Sequence, residues 1–165
     1  MSSSLSSLLS TAKSLSSDRS RRSVASILGA CVADAAGRPL HWVYDPDALK
    51  RHLTGHEETP EFFPESKSPF YELPTGDNSC YADLALSTLE TLAAEEELYD
   101  YEKMCQGLMR DFGTGSRYDK AKREEYMQLR REGKVEGPIK GKWMQGSVLK
   151  FMDRFEVSFL ASCCR

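Results

Sequence analysis

The sequence predicts an all-α protein. Apolar residues recur at helical spacing in several segments, and no stretch alternates apolar and polar residues with a period of two. The alanine-rich runs contain no proline, while proline and glycine gather in the segments between them. At 165 residues the chain is long enough to bury the core of one domain.

Residues 1–22 are Ser-rich and carry Lys13, Arg19, Arg21 and Arg22 against one acid, Asp18. Leu5, Leu8, Leu9 and Ala12 fall at helical spacing, so this stretch reads as a disordered tail or as an organelle transit peptide. Ordered structure is expected to begin near Arg22. Residues 24–36 (VASILGACVADAA) are small or apolar almost throughout, which predicts a helix buried on most sides. Gly37 ends it and Pro39 enforces the stop. Asp45 and Pro46 then provide an N-cap and a first helical residue for a short helix.

Between residues 54 and 79 lie Pro60, Pro64, Pro69, Pro74 and Gly76, with Phe62, Phe63, Phe70 and Tyr71 among them. So many aromatic residues predict an ordered loop. Helical periodicity returns over 80–98, where Leu84, Leu86, Leu89, Leu92 and Ala93 form the apolar stripe, and over 99–112. A polar helix over 118–132, a turn over 137–143 and a last helix over 143–155 complete the reading. The segments 24–36 and 80–98 carry the strongest helical signal.

A net charge of −3 and a pI near 5.7, with acids interspersed among the basic residues, argue against a nucleic-acid partner. No apolar run is long enough to span a bilayer, so no membrane partner is expected. The five cysteines, Cys31, Cys80, Cys105, Cys163 and Cys164, lack metal-ligand spacing and are expected as free thiols in a reducing compartment. The expected location is cytoplasmic, with an organelle as the alternative if residues 1–22 act as a transit peptide.

Three groups of residues could carry chemistry. Asp34 is a carboxylate inside an apolar helix, where it needs a hydrogen-bonded, paired or cation-bound setting. It is either a structural acceptor for loop amides or a site residue. His41 and Trp42 follow the glycine turn and are either a cleft-lining pair or a packed aromatic corner. Asp77, Asn78, Ser79 and Asp83 offer oxygen atoms around a helix start, which suits a hard cation and equally suits helix capping. The sequence contains no nucleophile elbow, P-loop or dinucleotide-binding glycine motif.

Three ordered segments resemble the ADP-ribosylglycohydrolases. The stretch 28–39 looks like that family's opening helix, which ends in Gly-Asp-Ala-x-Gly. The stretch 76–86 sits where the family places Thr-Asp-Asp-Thr. Pro69-Phe70-Tyr71, Ser79-Cys80-Tyr81 and the stretch 141–147 look most like its J-type crystallin and selenoprotein J branch. The resemblance covers roughly 23–156 and implies an all-helical orthogonal bundle, of which this chain supplies the N-terminal part. In active relatives it implies a paired Mg²⁺ site that hydrolyses ADP-ribose linkages. The implied cleft residues are Asp34, His41, Trp42, Tyr81 and Asp83, with Asp83 the metal-ligand candidate and no catalytic residue assigned.

This sequence departs from the active pattern. Ala33 replaces the glycine before the first aspartate, and His41 falls where a glutamate is common. Tyr81, Ala82, Asp83 and Leu84 retain one carboxylate of the Thr-Asp-Asp-Thr pair. The expectation is therefore a non-catalytic, crystallin-like structural or ligand-binding protein that takes ADP-ribose or a related nucleotide and needs no cofactor. The alternative is a Mg²⁺-dependent hydrolase in a longer product. A third reading makes residues 118–132 an interaction module. After Glu156 the chain reads VSFLASCCR, expected as an atypical end over 157–165 of a truncated domain. A chain so truncated should be marginally stable and expose apolar surface.

Overall fold

The computed structural model describes residues 14–15, 17–94 and 100–163. Its helices are α1 (Asp18–Gly37), α2 (Pro46–Leu53), α3 (Cys80–Ala93), α4 (Tyr101–Phe112), α5 (Lys120–Arg131) and α6 (Gly146–Cys163), with a 3₁₀ turn at Arg38–Leu40. The fold is all-α, as the periodicity predicts. Among the described residues no helix is long and apolar enough to cross a membrane.

Helix α1 begins one turn earlier than residue composition suggests. Ser17 caps it by accepting from the Ser20 amide, and Asp18 in the first turn pairs with Arg21. Helix α1 thus takes in Asp18–Arg22, which composition groups with the Ser-rich stretch, while residues 1–13 and 16 lie outside the described residues. The expectation that α1 is buried on most sides also fails. Only Ala35 is buried, and Ile27, Leu28 and Val32 are exposed, Val32 to 57%. Apolar character predicts that a helix is suited to cover, but neighbours have to supply it, and here they reach only its C-terminal end.

Ser79 caps α3 through the Tyr81 amide, and Asp100 caps α4 by accepting from the amides of Glu102 and Lys103. The predicted continuation of α3 over 95–98 lies outside the described residues. Helices α3 and α4 pack closely where Gly107 faces Thr91. A Cβ at Gly107 would lie 2.2 Å from Thr91 Oγ1, so the approach depends on the missing side chain. The core gathers Cys80 of α3, Phe112 at the end of α4, Tyr118, and Met144, Val148 and Met152 on or before α6. Helix α5 buries no residue, in keeping with its polar composition. Cys31, Cys80 and Cys105 are free thiols.

Sequence reading gives no hint of the strand pair found among the described residues. Tyr71–Glu72 (β1) pairs in parallel with Ile139–Lys140 (β2), flanked by Ile139 N–H donating to Phe70 O and Gly141 N–H to Glu72 O, both at 3.0 Å. Two residues per strand are too few to show alternation. The pair ties the long aromatic loop to the segment before α6, and so brings Trp42, Phe70, Tyr71 and Trp143 together.

Candidate functional site

Asp34 lies near the C-terminal end of α1 and is partly buried against the loop that opens α3. Its Oδ2 accepts from Ser79 N–H at 2.7 Å and from Asn78 Nδ2 at 3.2 Å, and its Oδ1 accepts from Ser79 Oγ at 2.6 Å. Asn78 Nδ2 also donates to Cys31 O at 2.7 Å. The Ser79 side chain thus donates to Asp34 while capping α3, and Ser79 is fully buried. An ionised acceptor suits this arrangement, because hydrogen bonds to a charged group are the strong ones.

Arg38 locks the next part of the same loop. It is fully buried, and its guanidinium donates to the carbonyls of Asp77 (3.0 Å), Leu73 (3.1 Å) and Pro74 (2.7 Å). Burial lowers its pKa from the usual arginine value, partly opposed by the charges of Asp77 and Asp34. Sequence reading treated Arg38 as part of a turn. The available signal was a lone cation between Gly37 and Pro39, directly after an apolar helix.

His41 Nδ1 lies 3.2 Å from the Tyr71 hydroxyl. Burial pushes the Tyr71 hydroxyl up to about 12, so it stays protonated at neutral pH. Burial also lowers the His41 pKa below its ordinary 6.5, with the Asp34 charge pulling the other way and Arg38 adding to the lowering. The unfolded chain therefore binds the proton more readily than the folded one. His41 stability is complete above pH 6.5 and is lost as pH falls below it. Urea midpoints measured from pH 7.5 to 5.5 should fall on acidification, and His41→Gln should flatten that slope. An equal slope in the variant would assign the acid sensitivity elsewhere.

Trp42 takes φ = +69°, a left-handed conformation that costs a non-glycine residue about 1–2 kcal/mol. Ring packing holds it there: Trp42 meets Trp143 (5.3 Å), Phe70 (5.4 Å) and Tyr44 (6.0 Å) edge-on. Tyr71 stacks on Trp143 at 6.2 Å, and Tyr81 approaches Trp143 at 6.3 Å. Trp143, which the sequence placed where a turn meets the last helix, lies before that helix, which begins at Gly146, and is the hub that joins Trp42 to Tyr81. Phe70, Tyr44 and Tyr81 are exposed, so the cluster presents aromatic surface to solvent.

Asp83 sits one turn into α3. Its Oδ2 accepts from Lys142 Nζ at 2.7 Å and from the Tyr118 hydroxyl at 2.6 Å. The Lys142 side chain is only 2% exposed and also donates to Asn78 O at 2.6 Å. Burial raises the Tyr118 pKa, and the Asp83 carboxylate raises it further. Sequence reading missed both Lys142 and Tyr118, since neither lies near Asp83 along the chain.

The five candidate residues share one region without sharing one depression. Asp34 and Tyr81 line an apolar groove between α1 and α3 with Ile27, Ala30, Ala85 and Leu89. Asp83 instead lines a groove toward α4 with Glu90, Arg110 and Arg117. Asn78 bridges the two, donating to Asp34 by its side chain and accepting from Lys142 at its carbonyl. Among the described residues no three His, Cys, Asp or Glu side chains cluster as a metal ion would require.

A sequence model of the ADP-ribosylglycohydrolase family matches residues 15–156. Crystallin J1A of Tripedalia cystophora is 29% identical over 143 residues, which cover 86% of this chain and 41% of that protein. Crystallin J1B of the same organism is 30% identical over 135 residues, covering 82% of this chain and 38% of that protein. The chain thus spans about two fifths of the length of these curated relatives. No solved structure matches it.

Proposed function

The chain belongs to the ADP-ribosylglycohydrolase family, and from that premise we propose that it is a non-catalytic member with a crystallin-like structural or ligand-binding role. The Asp83–Lys142 pair carries this reading. A paired Mg²⁺ site needs several carboxylates to offset the repulsion between the ions and to replace their lost waters. The one carboxylate kept from the family motif has an ammonium group 2.7 Å away, held in place by a second acceptor at Asn78. A dication on the same oxygen would face that charge at close range, so these residues do not fit the paired metal site. Lys142 supplies the positive charge the carboxylate needs, and it does so from within the chain.

The names of the two relatives, both crystallins, support the structural role. The exposed aromatic rings around Trp42 and Trp143 support a planar ligand, for which ADP-ribose or a related nucleotide is the proposed class. The opposing reading is a Mg²⁺-dependent hydrolase of ADP-ribose linkages in a longer product; the family match supports its chemistry, and the greater length of the relatives supports the longer product. Calorimetry separates the two. Titration of Mg²⁺ into the chain, with and without ADP-ribose, should give no saturable heat. Stoichiometric Mg²⁺ binding that sharpens when ADP-ribose is present would overturn the non-catalytic reading.

A further inference from the structure

Helix α5 is polar and buries no residue, yet it does not rest flush on the fold. Its first turns, the residues just before it and the segment 139–142 enclose a cavity of about 80 Å³. One water needs roughly 10–15 Å³ of such space, so the cavity can hold several waters or one small tetrahedral ion. Its wall carries Arg117, Lys120, Lys122, Arg123, Lys140 and Lys142, against one acid, Asp119. That concentration of positive charge runs against the sign of the whole chain, whose net charge is −3.

Most of these cations have acidic partners that do not line the cavity. Arg117 pairs with Asp77, Lys120 with Asp153, Lys140 with Glu72 and Lys142 with Asp83. The Asp119 carboxylate is committed to backbone amides, accepting from Ala121 N–H at 2.9 Å and Gly115 N–H at 2.7 Å. Arg123 differs from the rest. Its Nε is buried with no hydrogen-bond partner. The Arg123 side chain as a whole is only partly buried, so its charge is not cut off from water. Among the described residues no acid pairs with it, and an oxyanion in the cavity would give that charge an acceptor.

We propose that this cavity binds a phosphate-type oxyanion, with Arg123 as the principal donor and Lys122 as the second charge. The site is separate from the Asp34 groove and stands whether or not the chain is catalytic. Its volume suits one phosphate group rather than a whole nucleotide, so the ion is either free or the exposed end of a larger ligand.

Titration of the full chain with inorganic phosphate at low ionic strength, followed by calorimetry and phosphorus NMR, tests the proposal. Saturable binding is expected, weakened roughly tenfold by Arg123→Gln and by Lys122→Gln, since each removes a charge-assisted contact. Arg130→Gln, on the same helix but away from the cavity, should bind as the parent does. Circular dichroism checks each variant, and Lys122, whose side chain is exposed, decides the matter if Arg123→Gln unfolds. Absence of saturable binding, or equal weakening by Arg130→Gln, overturns the site. Displacement of phosphate by AMP, whose phosphate is terminal, assigns the bound group to the end of a nucleotide, and failure to displace it assigns it to the free anion.

Discussion

Replacing Lys142 with methionine should destabilise the chain by about 3–5 kcal/mol, the cost of breaking a buried ion pair by removing one partner. The Lys142 side chain is 2% exposed, so almost no water can take its place. Its loss strands the Asn78 carbonyl and leaves Asp83 Oδ2 with the Tyr118 hydroxyl alone. The Asp83 side chain is 24% exposed, which admits some solvent and draws the expected value toward the lower end. Asp83→Asn in the Lys142→Met background should recover part of the loss, because an amide is far cheaper to leave without a counter-charge than a carboxylate. Urea denaturation of the parent, both single variants and the double variant gives the coupling directly. A loss below about 1 kcal/mol for Lys142→Met would mean that Asp83 is solvated well enough without it. That result would remove the main support for the non-catalytic reading.

The sequence makes the helices legible for a simple reason. Amphipathic spacing and capping residues are local, and Asp45–Pro46, Ser79 and the stripe from Leu84 to Leu92 write their helix into a few consecutive positions. Asp34 stood out for the same kind of reason, as a carboxylate within an otherwise apolar helix. Arg38 and Lys142 did not stand out. Their acceptors lie 35 to 64 positions away, and all but the Asp83 carboxylate are carbonyls that every residue type possesses, so no local side-chain pattern announces them. Trp143 became a hub only because a two-residue strand pair draws its segment to the aromatic loop, and a pair that short has no periodicity to read. The exposure of α1 illustrates the opposite limit. Its composition shows that the helix can be buried, but only the arrangement of the neighbours shows that most of it is not.

Asp34→Ala should cost about 3 kcal/mol, because it removes a charged acceptor that several donors share. The Ser79 amide and hydroxyl and the Asn78 amide all converge on that carboxylate, and Ser79 is fully buried. Hydrogen bonds to a charged group contribute about 1.5–3 kcal/mol each, which would sum to more than 3. Three circumstances reduce the total. Asp34 is only partly buried, so water can reach part of the vacated space. The Ser79 hydroxyl keeps its acceptor role at the Tyr81 amide, and Asn78 keeps its bond to Cys31 O. Asp34→Asn should lose roughly half as much, since its carbonyl can still accept from one Ser79 group while its amide faces a donor. The effect should also be local. The Ser79 amide, bonded to Asp34 in the parent, should exchange with solvent much faster in Asp34→Ala, while amides in the middle of α4 should change only in step with global stability. A variant within 1 kcal/mol of the parent, with Ser79 exchange unchanged, would show that Asp34 does not hold the α3 loop.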